Sequence, residues 1–272
     1  MSSKLPHVAE ENEAIVAEGG YRTGDGEFVD IADRSAAARG ATVSYTPQHL
    51  EEMIQGGGPG PGNPVVEVTA EGSIEAARRL HAEQAGRVGV LNFASARNPG
   101  GGYLGGARAQ EEDLCRSALL YTCLLEAPDY YAAHRASRDL AYSHRVIVSP
   151  DVPVIRNDRG GLTTPFPVTF LTCPAPNAGE LRRRSATVDV GPVLSERAER
   201  VVAAAARHDI DTLVLGAWGC GVFGNDPVVV ADAFEAALTG WGAAFDRVTF
   251  AVWDRATPSM NRAAFATRFA SR

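Results

Sequence analysis

Two short apolar runs, Val88–Phe93 and Leu213–Ala217, are each followed by a glycine-rich loop and then by a helix-forming stretch. An unbroken apolar run of this length reads as a strand buried on both faces. Repeating strand, loop and helix within one chain calls for crossover connections and a layered α/β fold with helices on both sheet faces. In such sheets ligands bind outside the carboxyl ends of the strands, which is where both glycine loops fall.

The rest of the chain fits that frame. Val65–Val68, Val146–Val148, Val168–Leu171 and Val248–Val252 read as further strands. Ile74–Gln84 reads as a helix with Ser73 as N-cap and Gly86 as stop. A helix is expected over about 110–126, another over Val193–Arg207, and a third from Pro227, at its first position, to about Leu238. Residues 129–145 and 173–192 read as long connections. The run Gly56-Gly57-Gly58-Pro59-Gly60-Pro61-Gly62 can be neither helix nor central strand. It sets off residues 1–64, an N-terminal extension with a helix around 9–18 and a hairpin after Gly19-Gly20, packed on a body of 65–272. The whole reads as one structural domain.

The chain has 272 residues, 45% of them hydrophobic, enough for a core without disulfides or metal. It has no apolar stretch of spanning length. Residues 1–20 carry Glu10, Glu11 and Glu13 and no apolar segment, so no secretory signal is read there. Cys115, Cys123, Cys173 and Cys220 show no zinc spacing. The expectation is a cytoplasmic protein with reduced thiols and no membrane association. A net charge of −7 argues against direct DNA binding, so an anionic ligand must be held by local devices such as backbone N–H groups.

Both loops offer such devices. Asn98-Pro99-Gly100-Gly101-Gly102 lets a ligand approach the main chain and leads to a helix start near Gln110, an arrangement suited to a diphosphate. Gly219-Cys220-Gly221-Val222-Phe223-Gly224-Asn225 follows the second buried strand, so the two loops together can clamp a diphosphate from two sides. Phe223 admits two readings, a face for a sugar or base and a plug for the core. Gly100 to Gly105 matches Gly-x-Gly-x-x-Gly, but the place for its acidic partner, Leu119–Glu126, reads as helix. No Gly-Lys-Ser or Gly-Lys-Thr of a phosphate-binding loop occurs.

Gln110-Glu111-Glu112-Asp113 follows the first loop. Acids favour a helix start, but that alone does not explain carboxylates beside an anion site. Adjacent helix residues point about 100° apart, so Glu111 and Glu112 should have different jobs: one holding a sugar hydroxyl, the other reaching a scissile glycosidic oxygen. A helix start lowers a carboxyl pKa, whereas a second carboxylate, a diphosphate and burial raise it. In a closed complex the raising effects win. A glutamate protonated there can act as acid and its conjugate base can activate water, the two-step logic of glycoside hydrolysis.

The triple glycine, the Gln-Glu-Glu and the second loop, in that order, resemble the signature of poly(ADP-ribose) glycohydrolases within the macrodomain superfamily. The resemblance covers roughly 65–255, and the chain length is similar to the compact bacterial-type members. It implies a macrodomain-like three-layer α/β/α fold with a mixed central sheet. The implied activity is hydrolysis of ribose–ribose O-glycosidic bonds, releasing ADP-ribose. Carried over, Glu112 is the catalytic acid/base, Glu111 binds ribose hydroxyls and Gln110 positions the pair. Gly100, Gly101, Gly102, Gly219, Gly221, Val222, Gly224 and Asn225 hold the diphosphate and its ribose, and Phe223 orients the terminal ribose. The larger animal enzymes carry an Asn just before the glycines. Ser95 stands there in this chain, with Asn98 the candidate substitute. No metal or cofactor is implied. The implied partners are poly(ADP-ribose) and ADP-ribose, with ADP-ribosylated proteins a further candidate. The alternatives are a non-catalytic ADP-ribose reader and a hydrolase of single ADP-ribose units. Arg182-Arg183-Arg184 reads as a solvated charge run, Tyr130-Tyr131 and Trp218 as packing, and the histidines form no triad.

Overall fold

The computed structural model describes residues 5–185 and 187–270. The chain opens with α1 (Leu5–Glu18), a hairpin of β1 (Gly20–Arg22) and β2 (Phe28–Asp30), then α2 (Ala32–Gly40), β3 (Val43–Tyr45) and α3 (Pro47–Ile54). Next come β4 (Val65–Thr69), α4 (Ser73–Ala82), β5 (Val88–Phe93), α5 (Gln110–Ser117), α6 (Leu120–Leu124) and α7 (Pro128–Ala136). A long hairpin of β6 (Val146–Arg156) and β7 (Leu162–Cys173) leads to α8 (Ala178–Arg183) and α9 (Val190–Arg207). The described chain closes with β8 (Thr212–Leu215), α10 (Pro227–Trp241), β9 (Arg247–Ala251) and α11 (Met260–Phe269).

Seven strands form one mixed sheet in the order β3-β6-β7-β5-β8-β9-β4. From β7 to β4 the neighbours are parallel, and β6 runs antiparallel to both β7 and β3. Strand alternation divides the core in two. Val88, Val90, Phe170 and Val214 face a cluster with α1, α2 and α4 to α7. Leu91, Leu171, Leu213 and Leu215 face a cluster with α3, α9, α10 and α11. The layered α/β expectation holds. Because β5 and β8 are parallel neighbours, the two glycine loops leave the same sheet edge side by side.

Several elements differ from the sequence expectation. Strands β6 and β7 run much longer than Val146–Val148 and Val168–Leu171, despite Pro150, Pro153, Pro165 and Pro167. A proline cannot donate to a ladder, so it needs a free edge. Here β3 covers β6 only at Val146–Val148, and β5 covers β7 only from Thr169. The prolines lie beyond those limits. The helix expected over 110–126 is two helices, because Ala118 is extended and bridges Val154. Residues 129–145 and 173–192 contain α7 and α8. Helix α4 starts at Ser73 itself, with Gly72 as its cap, and Ser73 is used elsewhere. Strand β3, which the sequence did not announce, carries part of the N-terminal segment into the main sheet.

Candidate active site

The first loop and α5 bring two carboxylates into the protein. Glu111 and Glu112 are both buried, at 2% and 7% exposure, which acidic residues rarely tolerate without partners. Glu111 has them. Its Oε1 accepts from Asn92 Nδ2 at 3.3 Å and its Oε2 from the Ser95 N–H at 2.7 Å. Glu112 Oε1 accepts from the Gly102 N–H at 2.8 Å, while its Oε2 has no hydrogen-bond partner. Asn92 Oδ1, beside Glu111, is also unpaired, and buried polar atoms left without partners mark a place for function.

Gln110 fixes where α5 begins. Its Oε1 accepts from the Phe93 N–H at 2.8 Å, and its Nε2 donates to Leu91 O at 2.8 Å and Ser73 Oγ at 3.1 Å. Pairing of β5 with β8 ends at Val90, so the side chain continues the ladder where the neighbouring strand has stopped. This ties the carboxylate helix to the strand that carries Asn92.

The glycines are required by closeness. Gly100 and Gly101 have φ of +65° and +59°, in the left-handed region. A Cβ on Gly101 would lie 2.5 Å from Glu112 Oε1 and 3.0 Å from Glu111 Oε2. A Cβ on Gly102 would lie 2.6 Å from that of Ala107.

Burial pushes the Glu111 carboxyl up to about 8. The Ser95 N–H and the Asn92 amide oppose the rise, the Glu112 charge adds to it, and the Gly100 N–H opposes it. Glu111 is therefore mostly neutral at pH 7. Its usual carboxyl value is 4.5, so the folded state binds a proton that the unfolded chain has released. The resulting stability is fully present below about pH 4.5 and is lost as pH rises to about 8. Glu111→Gln is expected to flatten the decline of Tm between pH 5 and 8 and to melt above wild type at pH 8.5. Parallel curves for the two proteins across that range would show that Glu111 carries no such proton.

The second loop is built around Asn225. This buried side chain donates from Nδ2 to Pro176 O at 2.9 Å and Gly219 O at 3.1 Å. Gly219, at φ +71°, leaves room for it, since a Cβ there would lie 2.4 Å from Asn225 Nδ2. Asp226 accepts from the Val228 N–H and Pro227 opens α10, which ends the loop sharply. Phe223 is half-buried, its ring 6.1 Å from that of Tyr142, and its carbonyl accepts from the Gly179 N–H at 2.8 Å. Val222 is 90% exposed, and a Cβ added to Gly221 would meet nothing within 4 Å. Arg182 donates to Gly224 O at 2.9 Å, so it braces the loop, while Arg183 and Arg184 pair with Glu180.

Other candidates fall where packing predicts. Trp218 is wholly buried and donates to Cys173 O at 3.1 Å. Tyr130 and Tyr131 are buried on α7. Burial pushes the Cys123, Cys173 and Cys220 thiols up to about 12, so none is a ready nucleophile. Burial, with help from Arg197, holds His134 and His144 down to about 4. Among the described residues no three His, Cys, Asp or Glu side chains gather as a metal set, and no helix is long and apolar enough to cross a membrane.

Asn98 is exposed and works through its main chain: its N–H donates to Ser95 Oγ at 3.1 Å and its carbonyl accepts from the Gly101 N–H at 3.0 Å. The asparagine that reaches a carboxylate is Asn92, which sequence reasoning passed over. Its signal was a lone amide inside the apolar run Val88–Phe93.

Known proteins resemble this chain in sequence and fold. A family model described as microbial-type PARG, catalytic domain, matches residues 9–157. The poly(ADP-ribose) glycohydrolase of Thermomonospora curvata is 45% identical, with a TM-score of 0.93 over 98% of this chain and 99% of that one. The same enzyme bound to the inhibitor ADP-HPD matches at 45% identity and a TM-score of 0.91, with the same coverage. The Deinococcus radiodurans enzyme in complex with ADP-ribose is 43% identical, with a TM-score of 0.78 over 87% of this chain and 97% of that one. No curated protein sequence matches. The buried glutamate pair beside the first glycine loop is joined by a likeness to solved relatives over nearly the whole chain, and the chain belongs to the microbial-type poly(ADP-ribose) glycohydrolase family, as a glycohydrolase enzyme.

Proposed function

We propose that this site cleaves the ribose–ribose O-glycosidic bond of poly(ADP-ribose) and releases ADP-ribose, with Glu112 as acid and base. The observation that carries the assignment is the unpartnered Glu112 Oε2 on a carboxylate whose other oxygen is pinned by Gly102. The fixed oxygen sets the direction of the free one. In the reaction Glu112, which takes up a proton from solvent as substrate binds, gives that proton to the glycosidic oxygen as the bond to the ribose anomeric carbon breaks. The resulting carboxylate then takes a proton from the water that attacks the oxocarbenium-like carbon. Proton and oxygen balance as one water consumed per bond cut.

Neutral Glu111 offers a hydroxyl and an acceptor oxygen to the ribose without adding a second charge beside the diphosphate. Gly100 to Gly102 and the loop Gly219 to Asn225 hold the diphosphate and ribose through backbone N–H groups, and Phe223 flanks the terminal ribose. The ADP-ribose complex of the Deinococcus radiodurans relative and the ADP-HPD complex of the Thermomonospora curvata relative support ADP-ribose as the kind of ligand bound. The sheet and loops favour a macrodomain-type fold, and four free thiols favour work in the cytoplasm.

Incubation with purified polymer, followed by chromatography, is expected to yield free ADP-ribose. Intact polymer together with retained ADP-ribose affinity would overturn the assignment in favour of a reader. Release of ADP-ribose from singly modified protein alone would favour the mono-ADP-ribosyl hydrolase.

A further inference from the structure

Helix α5 carries both glutamates, yet it has only eight residues and ends inside the protein. Its last turn lacks an ordinary finish. The Ala118 N–H still donates to Leu114 O at 2.9 Å, but the Leu119 N–H, the helical donor for Cys115 O, donates to Pro153 O at 3.0 Å. A helix end buried without donors is costly. The missing donor comes from the N-terminal helix. Asn12 Nδ2, on α1, lies 3.2 Å from Cys115 O and 3.1 Å from Arg116 O. It also lies 3.2 Å from the hydroxyl of Tyr103, the residue after Gly102.

The Asn12 amide is itself held. Its Oδ1 accepts from Arg156 Nε at 3.1 Å and Nη2 at 2.7 Å, and Arg156 also pairs with Glu11 at 2.6 Å. Asn12 is 2% exposed. One fixed amide therefore joins the end of the carboxylate helix to the glycine loop. These are the two pieces whose separation sets the 2.8 Å bond from the Gly102 N–H to Glu112. At the start of α1, Leu5 and Pro6 pack over Gly106, at the far end of the same loop.

We propose that Asn12 is a positioning residue for catalysis: it caps the carboxylate helix from outside and sets the glycine loop against Glu112. The inference rests on the catalytic reading of Glu112 above. It makes the N-terminal segment a working part of the active site, acting through the carboxylate helix and the glycine loop.

Asn12→Asp tests this with nearly the same shape. Aspartate keeps the acceptors for Arg156 but turns an oxygen toward two carbonyls. Misplacement of a catalytic group by a fraction of an ångström is worth tenfold or more in rate. The folded variant is expected to lose roughly tenfold or more in kcat on poly(ADP-ribose), with ADP-ribose Kd changed less than about threefold. A stability control is Phe265→Leu, in the opposite core, which is expected to lower Tm and leave kcat unchanged. The proposal is overturned if Asn12→Asp behaves like Phe265→Leu, with a lower Tm and kcat within twofold of wild type.

If Asn12→Asp does not fold, Tyr103→Phe decides, since it removes one arm of the amide and keeps the ring. A fall in kcat at constant Kd supports the proposal, and an unchanged kcat overturns it. If wild type itself releases no ADP-ribose, the catalytic reading fails separately. The cap is then judged by amide exchange over residues 101–113: selectively faster exchange in Asn12→Asp than in Phe265→Leu supports it, and equal rates overturn it.

Discussion

Glu112→Gln is expected to lower kcat on poly(ADP-ribose) by roughly 100- to 10,000-fold, the usual contribution of a positioned acid/base, while ADP-ribose Kd stays within about threefold. The substitution is nearly isosteric. The amide oxygen still accepts from the Gly102 N–H, as Glu112 Oε1 does at 2.8 Å. The amide nitrogen takes the place of Oε2, the atom without a partner, and it can neither give nor receive the catalytic proton. Binding and chemistry should therefore separate. Polymer turnover and ADP-ribose titration on the same preparation check this. Turnover within tenfold of wild type would remove Glu112 from the mechanism.

Gly101→Ala is the second large effect. The residue is left-handed, at φ +59°, which an alanine adopts only with strain of about 1–3 kcal/mol. Its new Cβ would press on Glu112 Oε1 from 2.5 Å and Glu111 Oε2 from 3.0 Å. Neither carboxylate can yield, because Ser95 and Asn92 hold one and Gly102 holds the other. A loss of roughly 100-fold or more in kcat/KM is expected, with Tm lower by several degrees. Gly105→Ala is the matched control, because a Cβ there meets nothing within 4 Å and its φ is not positive. Equal activity of the two variants would mean that the glycine loop does not set the carboxylates.

The layered architecture was legible in the residues, and a candidate site could be named there, because both readings depend on local pattern. Apolar runs announce buried strands, glycine runs announce close approach, and the adjacent pair Glu111-Glu112 announces chemistry. Different surroundings for the two acids were also expected from adjacency on a helix. The structure separates the two environments, one carboxylate with two donors and the other with one.

What stayed hidden depends on partners distant in the chain. Prolines at 150, 153, 165 and 167 read as strand breakers until the ladder showed which edges were free. Asn92 meets Glu111 19 residues on, and Asn12 meets the end of α5 from over 100 residues away, and neither pairing leaves a local pattern in the sequence. The strand–loop–helix units, the glycine loops and the acid pair can be read from neighbouring residues alone, since each is a short-range consequence of side-chain size, charge and periodicity. The tertiary structure alone decided which buried polar groups satisfy one another. A buried hydrogen bond has no sequence period, and its partner is chosen only when the chain packs.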